Sequence, residues 1–352
     1  MWTVGGGTTS TSVSGLEPFS QYMVRVEAVN SAGNTSSVEV SVSTAQASPS
    51  GLSVFRVEKM TTGTSVILRW DPPAKPYGVI NIYRVYERDS DIAIYSGPGF
   101  VFEFVRLQPY TQYFVKQEVC NDAGCTRGSD QAFTTAEIAP TGQPTPAMGM
   151  VNATHVLLRW TKPVNPNGQI TTYEVFRRST QLRRRRQASE ASSDGKVVYT
   201  TSATNQSTFE YMDSGLTPYT QYEYKIRASN SQGYTESQWQ AVQTSQAPPA
   251  GVDAPVVMLL EGEVNAVNIT WTPPSQPNGV LQSYSLRKNT SIPLSMPLDG
   301  PFWYRYDGLE AYTVYSFTLT VCSEEAAQPV SLPSSGPRRL HHILFLRPHL
   351  PL

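Results

Sequence analysis

One segment occurs three times along the chain. Val66-Ile67-Leu68-Arg69-Trp70-Asp71-Pro72-Pro73 returns as Val156-Leu157-Leu158-Arg159-Trp160-Thr161-Lys162-Pro163, and again as Val267-Asn268-Ile269-Thr270-Trp271-Thr272-Pro273-Pro274. A repeat of this kind constrains the fold strongly, because it means one structural unit copied along the chain. In each copy the apolar residues fall at period two and end on Trp. That pattern predicts a strand with one face in a core and the other in water. The prolines after Trp end the ladder and open a loop.

Two further elements repeat in step. Tyr83-Arg84-Val85, Tyr173-Glu174-Val175 and Tyr284-Ser285-Leu286 each begin five residues after a glycine, Gly78, Gly168 or Gly279. With the turn dipeptides Asn167-Gly168 and Asn278-Gly279, they read as a hairpin-like return from the Trp strand. Leu107-Gln108-Pro109-Tyr110-Thr111-Gln112-Tyr113 recurs as Leu216–Tyr222, as Leu16–Tyr22, and as Leu309–Tyr315 with Ala311 in place of Pro. A Tyr opening an alternating strand just after a Leu-x-Pro corner is a tyrosine corner. Its ring enters the core and its hydroxyl serves a backbone group at the bend.

Taken together, the three elements resemble the fibronectin type III module. The resemblance implies an all-β chain of tandem immunoglobulin-like sandwiches, each of seven strands in two sheets. Core positions would be Trp70, Trp160 and Trp271 with Tyr22, Tyr113, Tyr222 and Tyr315. The spacing from Trp70 to Trp160 is 90 residues, and Trp70 to Tyr113 and Trp271 to Tyr315 are 43 and 44. Only Trp160 to Tyr222, at 62, is long. The expected layout is the C-terminal half of a module at 1–45, modules at 49–137 and 141–246, an incomplete module at 250–330 and a divergent tail at 331–352. The extra length of the second module is an Arg-rich insertion at about 179–195, which holds Arg183, Arg184, Arg185 and Arg186.

That Arg run has three readings: a solvated loop, a patch for glycosaminoglycan or another acidic partner, and a cleavage site for a basic-residue protease. Cys120 and Cys125 flank Asn121-Asp122-Ala123-Gly124 and read as a disulfide across a hairpin mouth; two free thiols are the other reading. Cys322 lies seven residues after Tyr315, as Cys120 does after Tyr113, but Ala327 stands where its partner would be. From about Ser323 no final strand is legible, which predicts a fourth module with an unpaired edge and a free thiol; a divergent last strand near Gln328–Leu332 is the other reading. Five Asn-x-Ser/Thr sequons are glycosylation candidates: Asn34, Asn152, Asn205, Asn268 and Asn289. Period two places Asn268 on a solvent face.

Several function classes are disfavoured. The net charge is −1, which gives no footprint for nucleic acid. Of four His, His341, His342 and His349 lie near the end, leaving His155 alone in the body; with three Cys, a His triad or zinc site is almost unbuildable. No phosphate loop, Gly-x-Ser-x-Gly or His-Glu-x-x-His occurs. No catalytic residue, cofactor or metal is expected, and no apolar run reaches the length of a membrane span. Arg127-Gly128-Ser129-Asp130 is not an Arg-Gly-Asp motif, and Ser237-Gln238-Trp239-Gln240 does not match Trp-Ser-x-Trp-Ser.

The resemblance implies a non-enzymatic extracellular spacer and adhesion array linking cell surface and matrix, a glycoprotein that meets a collagen-like component or a cell-surface receptor. Within the family, Cys-x4-Cys and Trp-x-Pro-Pro with Pro-Asn-Gly are similar to the long arrays of sensory hair cells and photoreceptors. An intracellular cytoskeletal array is the alternative, and free thiols with bare Asn would favour it.

Overall fold

The computed structural model describes residues 2–60, 62–179, 195–204, 206–311 and 313–323, and the backbone of 340–345. Among them there is no helix. Two compact units are distinguished: Met1–Pro140 with Pro166–Gln169 and Asn230–Gly233, and the remainder.

In the first unit, residues 2–20 form no strand. Gln21–Val24 pairs with Val40–Ser43, and Glu27–Asn30 with Gly33–Ser36. Val24, Val40 and Val42 have no opposing sheet and are exposed. A complete sandwich follows. Its smaller sheet orders Arg56–Lys59, Ser65–Arg69 and Val101–Val105. Its larger sheet runs Ala93–Gly97, Ile82–Glu87, Gln112–Asn121 and Gly124–Arg127, with Gln131–Thr134 also on the long central strand.

The core lies between the sheets, as the alternation requires. Val66, Leu68 and Trp70 are buried from one side, and Tyr83, Val85, Val115 and Val119 from the other. Trp70 packs edge-on against Phe55 and Tyr95, with ring centroids 5.6 and 5.4 Å apart. Each fully buried large apolar side chain contributes roughly 1.5–3 kcal/mol.

The second unit holds two more sandwiches. One pairs Ala147–Val151, His155–Thr161 and Thr208–Ser214 across from Lys196–Ser202, Thr172–Ser179, Gln221–Asn230, Gly233–Glu236 and Gln240–Gln243. The other sets Val256–Leu259, Val267–Thr270 and Trp303–Tyr306 against Leu294–Met296, Leu281–Lys288, Val314–Ser323 and Leu340–Phe345.

Two sequence readings are corrected. The Trp strand and the Tyr–Val strand do not form a hairpin: they lie in opposite sheets of every sandwich. Proline-rich loops such as Pro72–Pro76 carry the chain across, since Pro cannot donate to the ladder that a hairpin needs. Nor is the edge of the last sandwich open. Leu340–Phe345 runs antiparallel to Val314–Leu319 in six-residue register, so part of the supposed divergent tail serves as a strand. Its Leu-His-His-Ile-Leu-Phe sequence, flanked by Arg and Pro, lacks the alternation of the earlier modules' last strands. The alternative strand near Gln328–Leu332 lies outside the described residues.

Candidate functional site

A tyrosine corner opens each of Gln21–Val24, Gln112–Asn121, Gln221–Asn230 and Val314–Ser323. The hydroxyls of Tyr22, Tyr113, Tyr222 and Tyr315 accept the amides of Glu17, Gln108, Thr217 and Glu310 at 2.8, 2.8, 3.0 and 2.8 Å. Thr44, Thr135 and Thr244 close three of these corners, each hydroxyl accepting one amide and donating to a carbonyl. Four copies of one bend thus present the strand after Tyr in the same way.

In the first complete sandwich that strand leads into the cysteine hairpin. Cys120 and Cys125 are direct cross-strand partners, their Cα atoms 4.0 Å apart, and a disulfide joins them. Glu118 approaches both sulfurs, but disulfide sulfur is no thiolate ligand and the carboxylate is already taken. Arg84 and Arg127 each reach it at 2.7 Å and Tyr86 donates at 3.1 Å. Burial pushes the Glu118 carboxyl up, yet the hydrogen bonds from Arg127, Arg84 and Tyr86 together outweigh it and hold it below its ordinary value. This donor set stabilises a hairpin and does not fit a metal.

In the second sandwich Ser229 and Tyr234 stand at the two cysteine positions, and a stack of cations and rings takes over. Glu236 binds Lys225 at 2.6 Å and Arg227 at 2.7 Å. Arg178 and Lys225 lie over Trp239, Lys225 and Arg227 over Phe176, and Arg227 over Tyr234, at 4.2 to 5.1 Å from the ring centroids. Burial again pushes the Glu236 carboxyl up, and Lys225 and Arg227 more than reverse it. Ser237 locks the bend before the last strand: its amide donates to Ile226 O, and Ile226 N donates to its hydroxyl. Ser37 does the same with Val26. Ser237-Gln238-Trp239 does not match Trp-Ser-x-Trp-Ser, and the cations of its stack come from strands paired only in the fold.

Beneath the stack, Asp213 is buried. It accepts from Arg177 at 2.7 Å and from Tyr224 at 2.8 Å. Burial and the Asp213 hydrogen bond push the Tyr224 hydroxyl far above its usual range, and burial alone pushes Tyr173 up to about 12. These phenols stay neutral and structural.

Arg183 to Arg186 lie outside the described residues. The bases of their insertion are well held: Arg177 by Asp213, Arg178 by Glu223, and Gly195 close to the Arg177 carbonyl and the Trp239 ring. Among the sequons, Asn205 is also outside the described residues. Asn34 is exposed and its amide donates to Glu27. Asn152 and Asn289 are exposed in turns. Asn152 Oδ1 accepts the amides of Thr154 and His155, and Asn289 Oδ1 accepts Ser316 N. Asn268 faces away from the core but is only half-buried, not free. It stands between Met258 and Arg305 on the middle strand, with Oδ1 buried and unpartnered. Cys322 is an exposed free thiol.

Strand order, Trp strand and tyrosine corner define a tandem array of fibronectin type III β-sandwiches, and the family's domain model matches residues 142–244. The chain belongs to that class. It is similar to usherin of Homo sapiens, 38% identical over 337 residues that cover 94% of this chain and 6% of usherin. It is also 24% identical to the netrin receptor DCC of Homo sapiens over 86% of this chain and 21% of that one. The crystal structure of chicken CNTN1 FN1-FN3 domains covers 86% of this chain and 100% of its own at 15% identity, with a TM-score of 0.38. The chain therefore spans a small fraction of the length of these curated relatives.

Proposed function

We propose that the chain is a stretch of a non-enzymatic extracellular array that spaces and adheres, meeting cell-surface or matrix partners through the outer faces and loops of its sandwiches. The observation that carries the reading is the Cys120–Cys125 disulfide, because such bonds persist in oxidising compartments. Exposed sequons at Asn152 and Asn289 support it, since glycans need reachable Nδ2 atoms. A second support is the resemblance to usherin and to a netrin receptor. A role at sensory-cell stereocilia and photoreceptors rests on the usherin resemblance alone. Partner chemistry follows the same reading: a collagen-like component or a receptor for the array, and a sulfated glycosaminoglycan for the Arg183–Arg186 run.

The test uses the full chain secreted from a eukaryotic host and immobilised. It is challenged with dissociated cells, collagen, heparan sulfate and F-actin. Retention of cells or of a matrix component, with F-actin passing through, is the expected result. Capture of F-actin with indifference to cells and matrix would replace this reading with the cytoskeletal one.

A further inference from the structure

Three short segments precede the complete sandwiches: Gln46-Ala47-Ser48-Pro49, Glu137-Ile138-Ala139-Pro140 and Gln246-Ala247-Pro248-Pro249. Read side by side they share a pattern: Gln or Glu, a small or branched apolar residue, any residue, then a buried Pro. Each meets the same two loops. The second-position amides of Ala47, Ile138 and Ala247 donate to the carbonyls of Tyr77, Asn167 and Asn278 at 3.1, 3.1 and 2.9 Å. Those three acceptor residues all have positive φ, 46°, 51° and 53°, which turns their carbonyls towards the segment. The carbonyls of Ala47 and Ile138 accept Asn121 Nδ2 and Asn230 Nδ2, both at 2.7 Å, and Ala247 O accepts Ser323 Oγ at 3.4 Å.

The first-position side chain completes the fit. Glu137 Oε1 and Gln246 Oε1 accept the amides of Gln169 and Val280, while Gln46 Oε1 is buried without a partner. All three side chains occupy the space where a Cβ would stand on Gly78, Gly168 or Gly279. None of these glycines has a positive φ, so their backbone does not require glycine; the incoming side chain does.

We propose that each complete sandwich carries a capture site for the four residues that precede it, built from the Pro-x-Gly loop and the polar residue eight positions after the corner Tyr, and that the site recognises an extended Gln/Glu–apolar–x–Pro peptide. The ligand is the chain's own linker. The hairpin that supplies Asn121 is the one the Cys120–Cys125 disulfide closes, and Thr126, beside Cys125, donates to Pro49 O at 2.6 Å.

Amide hydrogen exchange on the full chain tests this at single-residue resolution. The amides of Ala47, Ile138 and Ala247 are expected to be protected. Gly168→Ala, whose methyl overlaps Glu137, is expected to lower protection at Ile138 by about tenfold, in line with losing one or two hydrogen bonds. Ala47 and Ala247 serve as unchanged internal controls. Glu137→Ala removes the linker side chain without touching the loop and is expected to act at Ile138 with the protection of Leu158 and Ile226 intact. Exchange of the three amides at free-peptide rates, or Ile138 unmoved by both variants, overturns the proposal.

Discussion

In the first complete sandwich the hairpin after the tyrosine corner is closed by a covalent bond, Cys120 to Cys125, with Glu118 held by two arginines beside it. The second sandwich keeps the same corner, strand order and hairpin length. It closes the hairpin with Glu236, Lys225 and Arg227 stacked through Phe176, Tyr234 and Trp239. Their interiors differ as well. Gln117 is buried without partners where Ile226 fills the second core, and Val115 stands where Tyr224 reaches Asp213. The shared corner and Trp strand specify the fold, leaving the outer face and the hairpin free to be stabilised by different chemistry in each copy.

The sharpest way to break this comparison is Arg177→Met. It leaves the Asp213 carboxylate buried with only tyrosine partners, and stranding one member of a buried pair costs about 3–5 kcal/mol. Native-state hydrogen exchange should show that loss at second-sandwich core amides and none in the first. Equal losses in both would mean that the two sandwiches do not have separate cores.

The fold was legible because its marks are covalent-scale patterns. Trp at period two and the Leu-x-Pro-x-x-x-Tyr corner need no tertiary context to be read. What stayed hidden depends on three-dimensional neighbours. The prolines after Trp70 end its ladder, but the sheet that Ile82–Glu87 joins is fixed by its partners Ala93–Gly97 and Gln112–Asn121. The Lys225–Phe176–Arg227 stack brings together residues 49 and 51 positions apart, and neither strand shows it alone. Alternation puts Asn268 on the outer face, but its half-burial between the strands of Met258 and Arg305 is visible only in the fold.

Replacing Cys120 and Cys125 together by Ala should destabilise the first sandwich by about 2 kcal/mol, since the closed loop is short. Urea unfolding followed at first-sandwich probes reads this, and the second sandwich is expected to keep its midpoint. Tyr113→Phe and Tyr222→Phe probe what the two share. Each removes one corner hydrogen bond, for a loss of about 1 kcal/mol. Similar values in both sandwiches sharpen the comparison; a large difference would assign the corner a different weight in each.

Acid gives the smallest effect and separates the hairpins by the order in which they open. The folded-state carboxyls of Glu118 and Glu236 both lie below their ordinary value, so each contributes stability above the unfolded pKa that is lost as pH falls through the folded one. The first hairpin retains its disulfide through that window. Exchange followed as pH falls from about 5, roughly one unit above the usual carboxylate value, through the lower folded-state values should therefore open Gly233–Glu236 before Gly124–Arg127. Simultaneous opening would mean that the covalent bond adds nothing to the hairpin's resistance.

The extracellular reading is tested most directly by non-reducing peptide mapping of the protein from its native tissue, with and without enzymatic removal of N-glycans. A linked Cys120–Cys125 peptide together with a glycan on Asn152 or Asn289 is the predicted result. Reduced thiols at both cysteines and unmodified Asn at every sequon would contradict it.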